Sequence, residues 1–221
     1  MVNDSLQQMP GRGLPQRKFL APLFVTILVL RGRVNFRNLR RDCDDSERTM
    51  ARQFREPFAW PDVHQRVLMT ALDPRSARVS AHDASFIPKR GQHTFGRGHF
   101  VNGGASRAEP GREISPLAVV DVTRRCAVTL AVSQTPPGEA ATTAEPEETR
   151  VDFSTQPLRA HRHRLPPGVT EHCVEGSDAK KHYRDEVVSR DLQAITTLRS
   201  DADCVVLDTG PHPKRRGARR T

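Results

Sequence analysis

Asp83 and Glu175 are the residues of this chain with the greatest chemical consequence. Asp83 sits in RVSAHDASF (residues 78–86), a stretch whose alternation predicts a strand that is apolar or small on its inner side. A carboxylate within a core strand is costly unless it is paired or binds a metal. A second arrangement stays open, an edge-strand Asp bonded to the Pro88-Lys89-Arg90-Gly91 turn that follows. Glu175 ends a later short strand expected over residues 172–175, just before Gly176. Two carboxylates at the ends of neighbouring strands can hold hard divalent cations, which take oxygen ligands and stabilise in-line phosphoryl transfer. Both are therefore candidates for catalysis and for metal binding.

Other chemistry is poorly provided for. His161, His163, His172 and Cys173 form the one metal-like cluster, but histidines at i and i+2 diverge, so no zinc site is expected. Cys43, Cys126, Cys173 and Cys204 contain no Cys-x-x-Cys pair and read as free thiols of a reducing cytoplasm. Gly96-Arg97-Gly98 lacks the rest of a dinucleotide fingerprint, and no Gly-rich phosphate loop is present in the sequence.

Charge points to a polyanion. The 221 residues carry a net charge of +9, and 30 of the 35 basic residues are Arg. Residues 1–60 contribute +5 and residues 211–221 another +5, whereas 61–210 sum to −1. A near-neutral body with cationic ends suits phosphate binding through Lys and Arg, with affinity drawn from counterion release. Arg33, Arg37, Arg40 and Arg41 near one end, and Lys214, Arg215 and Arg216 at the other, are the candidate contacts. One Trp, one Tyr and 5% aromatic residues argue against stacking platforms for single strands, and so against an RNA-associated role.

The elements that must position these residues can be read in order. Residues 1–16 form a Pro- and Gly-rich leader. Residues 19–30 are apolar but too short to span a bilayer, and Arg31-Gly32-Arg33 follows without a cleavage site, so a buried helix is expected and no membrane partner. Pro22 is tolerable only in a first helical turn. A basic segment around Val34, Phe36 and Leu39 and a helix N-capped by Ser46 through Phe54 complete a helix-turn-helix-like head over 17–60, closed by Pro57 and Pro61. The core, residues 76–210, reads as strands, a hairpin of buried strands (114–122 and 126–132), an acidic linker (139–149) and alternating helices and strands to an apolar run at 204–207. That order predicts a mixed α/β fold, followed by a basic tail over 211–221.

Several blocks together resemble one group of bacterial insertion-sequence DDE transposases: 82–89 (HDASFIPK), 117–122 (LAVVDV), 134–137 (QTPP), 198–202 (LRSDA) and 209–217 (TGPHPKRRG). In the head, 31–39 (RGRVNFRNL) and 46–48 (SER) resemble the same group. The resemblance implies a ribonuclease-H-like mixed sheet with flanking helices. It implies three acidic residues holding two Mg²⁺ (or Mn²⁺) ions that activate water and then a DNA 3′-hydroxyl for strand cleavage and transfer. The implied partners are double-stranded DNA, as element ends and target, and further copies of the chain on that DNA. The implied location is the cytoplasm, at the nucleoid.

Asp83 matches the first catalytic Asp of that group. Its second lies in an Asp-Gly-aromatic-aromatic-Ala-Lys motif, matched here by Glu175-Gly176-Ser177-Asp178-Ala179-Lys180, with Glu for Asp and both aromatics lost. Two-metal geometry tolerates about 1 Å of displacement badly, and the extra methylene of Glu is of that size. The third acid, a Glu beyond the 214–217 block, has no counterpart before Thr221. The expectation is therefore an incomplete core in a truncated copy with impaired cleavage, or a remnant that binds DNA without cutting it.

Overall fold

The computed structural model describes residues 14–138, 150–176 and 180–197. The leader up to residue 13, the acidic linker, Asp178, the apolar run at 204–207 and the basic tail with Lys214, Arg215 and Arg216 lie outside the described residues.

Among the described residues, four helices precede the first strand: α1 (Leu14–Val29), α2 (Phe36–Leu39), α3 (Glu47–Arg55) and α4 (Trp60–Ala71). Ser46 caps α3 as its sequence predicts, its Oγ accepting the Thr49 backbone N–H at 3.1 Å. Gly32 ends the first segment with a φ of +113°, a backbone that only glycine adopts freely. Two expectations fail here. Pro22 lies midway along α1 instead of in its first turn; its missing N–H frees the carbonyl of Lys18, which is tolerable because both residues face solvent. And α1 is buried on one side only. Phe19, Leu20 and Leu23 are covered, while Leu28 is 86% exposed, because a few short helices can shield only one face.

Leu39, Met50 and Val63 join Phe19, Leu20 and Leu23 in the cluster that holds these helices. Phe54 of α3 meets Phe36 of α2 edge-on at 5.2 Å and Phe19 of α1 at 6.1 Å. The expected stop at Pro57 and Pro61 instead opens a helix, since Pro61 occupies the first turn of α4. Val63 of α4 belongs to this cluster, whereas its Leu68 and the following cap residue Leu72 belong to the core of the sheet.

Among the described residues the sheet contains seven strands: β1 (Arg78–His82), β2 (Ser85–Pro88), β3 (Gly98–Asn102), β4 (Arg107–Asp121), β5 (Cys126–Gln134), β6 (Glu171–Val174) and β7 (Gln193–Thr196). Helices α5 (Arg150–His161) and α6 (Lys181–Val188) connect β5 to β6 and β6 to β7. The order is β2-β4-β1-β6-β7, with β3 and β5 also paired to β4. Pairings β1–β6 and β6–β7 are parallel and the others antiparallel, a mixed sheet with flanking helices, as expected.

Fifteen-residue β4 is the spine, and its inner residues alternate strictly from Gly111 to Asp121. The hairpin of β4 and β5 is thus buried on one face instead of throughout. Gly111 is required there, because an added Cβ would lie 2.3 Å from the Phe86 ring. Leu117, Val119 and Leu130 of this face pack with Leu68 of α4, Leu72 just after it, Leu158 of α5, and Tyr183 and Val187 of α6. Each fully buried side chain of this size contributes roughly 1.5–3 kcal/mol.

Candidate functional site

The strand expected over 78–86 is split. In β1, His82 pairs with Leu117, and in β2, Ser85 pairs with Ile114, so one antiparallel register runs through both and sets Asp83 opposite Pro116. Proline has no N–H to give the ladder, and pairing lapses at that point. Asp83 therefore occupies a break between two strands and is exposed, which rules out the first of the two arrangements the sequence left open, a carboxylate within a core strand. Glu175 is also exposed, one residue beyond the end of β6.

The parallel register of β1 and β6 pairs Ser80 with His172, Ala81 with Cys173 and His82 with Val174. The next step of that register is Asp83 with Glu175. Both carboxylates thus leave the same carboxyl-terminal edge of two adjacent parallel strands, the edge where open α/β sheets place their ligands. Among the described residues, no group of three His, Cys, Asp or Glu side chains is placed to hold a metal ion.

Beneath this edge lies a buried polar network that the sequence reading missed. His172 is fully buried, with Nδ1 2.9 Å from Ser80 Oγ and Nε2 2.9 Å from the Tyr183 hydroxyl. Ser80 Oγ donates its hydrogen to the Glu171 carbonyl at 3.0 Å. The donor between Ser80 and His172 must then be His172 Nδ1–H, which leaves Nε2 to accept from Tyr183. Burial lowers the pKa of His172 to about 4, and neighbouring His82 pushes in the same direction. His82 is lowered to about 4 by burial as well, against the opposing pull of Asp83 and Glu113. Both imidazoles are neutral at pH 7. Their pairing had no signal in the sequence: His82 opens the 82–89 block and His172 stands in the metal-like cluster, but nothing local shows that both turn into the core.

A second buried polar pair lies along β4. Glu113 Oε1 accepts the Thr135 hydroxyl at 2.9 Å. At the strand's end, the Arg124 backbone N–H donates to Asp121 Oδ1 at 2.8 Å and holds that carboxyl below its usual range. On the outer side, Glu186 of α6 is clamped by Arg159 of α5 and by Arg190, and the Arg159 bond is the larger cause of its lowered pKa.

The expected basic contacts Arg33, Arg37, Arg40 and Arg41 are all exposed. The helix that was to carry them, α2, is a single turn of four residues. Arg48, Arg52 and Arg55 of α3, left out of the sequence-based set, are exposed too. Their i, i+4, i+7 spacing after the Ser46 cap was the signal that could have found them. The expected thiol state agrees where it can be seen, with Cys43, Cys126 and Cys173 free. Of the metal-like cluster, His172 is bonded to Ser80 and Tyr183. Among the described residues, no helix is long and apolar enough to cross a membrane.

No protein-family model matches the sequence, and no curated protein does. Among solved structures there is a loose likeness to piggyBac transposase in a synaptic complex with hairpin DNA. The TM-score is 0.43 and the identity 13%, over 91% of this chain and 40% of that one. The chain thus spans about two fifths of the length of that protein.

Proposed function

We propose that this chain is a transposase-type DNA-binding protein of bacterial insertion-sequence character, with a ribonuclease-H-like core whose strand-cleaving function is impaired. The reading is carried by one relationship: Asp83 and Glu175 follow paired residues of the adjacent parallel strands β1 and β6 and leave the sheet at a common edge. The sequence blocks around both residues support it, as does a mixed seven-stranded sheet with helices.

Mg²⁺ or Mn²⁺ fits this edge in kind but not in number. Carboxylate oxygens are the ligands hard cations take, and a pair of such ions would supply Lewis-acid stabilisation of a phosphoryl group. Among the described residues, no third His, Cys, Asp or Glu joins the two exposed carboxylates in a group that could hold a metal ion. No step is therefore assigned to the ions. DNA binding rests instead on the exposed arginines that precede the sheet, a function that needs no cation.

Two assays on the full chain test the reading. Gel-shift binding to a duplex should persist in EDTA. Nicking or strand transfer in Mg²⁺ or Mn²⁺ should be at most a trace. Robust product that Asp83→Asn abolishes would overturn the claim of impaired cleavage, and absence of duplex binding would overturn the DNA-binding claim.

A further inference from the structure

Helix α3 presents three exposed arginines, Arg48, Arg52 and Arg55, along the side opposite fully buried Met50. Their spacing of i, i+4 and i+7 puts them in one row about 10 Å long, at 1.5 Å of helix rise per residue. One DNA strand advances 3.4 Å along the duplex axis per phosphate, and successive phosphates lie roughly twice that far apart through space, so the row spans about two to three of them. Among the described residues, none of the three forms an ion pair, and the one acid of α3, Glu47, sits in its first turn, ahead of the row. The guanidinium groups are thus available for bidentate phosphate contacts.

Base reading is poorly served nearby. Helix α2 is too short to lay a row of side chains in a groove. Asn35, which caps it, and Asn38 within it, residues of a type that reads adenine, are engaged in shaping the chain: Asn35 Oδ1 accepts the Asn38 N–H at 2.8 Å, and the Asn38 amide donates to the Arg33 carbonyl at 2.9 Å. The Phe36–Phe54 ring contact holds the start of α2 against the end of α3.

We infer that α3 is a sequence-independent clamp on the phosphate backbone of duplex DNA, through Arg48, Arg52 and Arg55. The inference rests on the DNA-binding reading above and names the element that delivers it.

The test is the salt dependence of binding of the full chain to two 20-base-pair duplexes of unrelated sequence. Replacing Arg48, Arg52 and Arg55 by Gln should lower the slope of log K against log[salt] by about 2–3, at roughly 0.9 per lost phosphate contact, and by the same amount on both duplexes. Lysine at the three positions should retain most of the slope, because the charges remain. A control with Gln at Arg75, Arg90 and Arg125, exposed on the body, should leave the slope unchanged. An unchanged slope in the α3 variant, or a loss confined to one duplex, overturns the clamp while leaving DNA binding by the chain intact. If the unmodified chain binds neither duplex, the functional reading falls and the clamp falls with it.

Discussion

Ser80 and His172 are register partners on adjacent parallel strands, and their side chains are bonded at 2.9 Å inside the core. Three residues further along each strand lie Asp83 and Glu175. The buried bond therefore joins the two strands in the register that brings both carboxylates to one edge. Slipping that register by a single residue would exchange the faces of a whole strand.

The Ser80–His172 pair should show energetic coupling. His172→Leu removes the acceptor of the Tyr183 hydroxyl and the donor to Ser80, and should cost about 1–3 kcal/mol of stability. A double-mutant cycle with Ser80→Ala, read by urea denaturation, should return a coupling of at least about 0.5 kcal/mol. Strictly additive losses would show that the bond does not hold the strands together.

Stability should fall on mild acidification. His82 and His172 have folded pKa values of about 4, below the ordinary 6.5, so the fold favours their neutral forms. That contribution is complete above about pH 6.5 and is lost as the pH falls from there towards 4, since the unfolded chain takes up protons first. Each histidine contributes a slope of up to about 1.4 kcal/mol per pH unit in that window. The lowered carboxyls of Asp121 and Glu186 act in the same direction but at lower pH. Denaturation midpoints at pH 7.5 and 5 are the measurement, and His172→Leu should remove about half of the difference. A flat profile would contradict the burial of these rings.

The cap on α3 should be separable from the phosphate row that it precedes. Ser46→Ala deletes the oxygen that accepts the Thr49 N–H, a loss of about 1 kcal/mol. Hydrogen exchange should quicken at the first turn of α3 and stay unchanged in β4. Protection that stays equal at Thr49 and Met50 would mean the cap does not hold the helix.

Much of the architecture could be read in advance because it rests on local rules. Ser46 before Glu47 and the β-branched runs of β4 and β5 each state their element within a few residues. Helix α4 was missed because Pro61 reads as a boundary until its place in a first turn is known. The break at Asp83 was missed for a longer-range reason: the residue that interrupts it, Pro116, lies 33 positions away and becomes its neighbour only when the strands pair. The buried histidines had no local signature either, since a polar residue at an inner position is explained only by the partner that meets it.

The chain's own order of residues settled its charge layout, its α/β character and the candidacy of Asp83 and Glu175, because charge, hydrophobic period and capping act over a few bonds. The tertiary structure decided that the two carboxylates share an edge, that both are exposed, that α2 is one turn and α3 the longer basic helix, and that Ser80, His172 and Tyr183 form one network. Those facts depend on register and packing between segments as many as 92 residues apart. No spacing within a single segment encodes them.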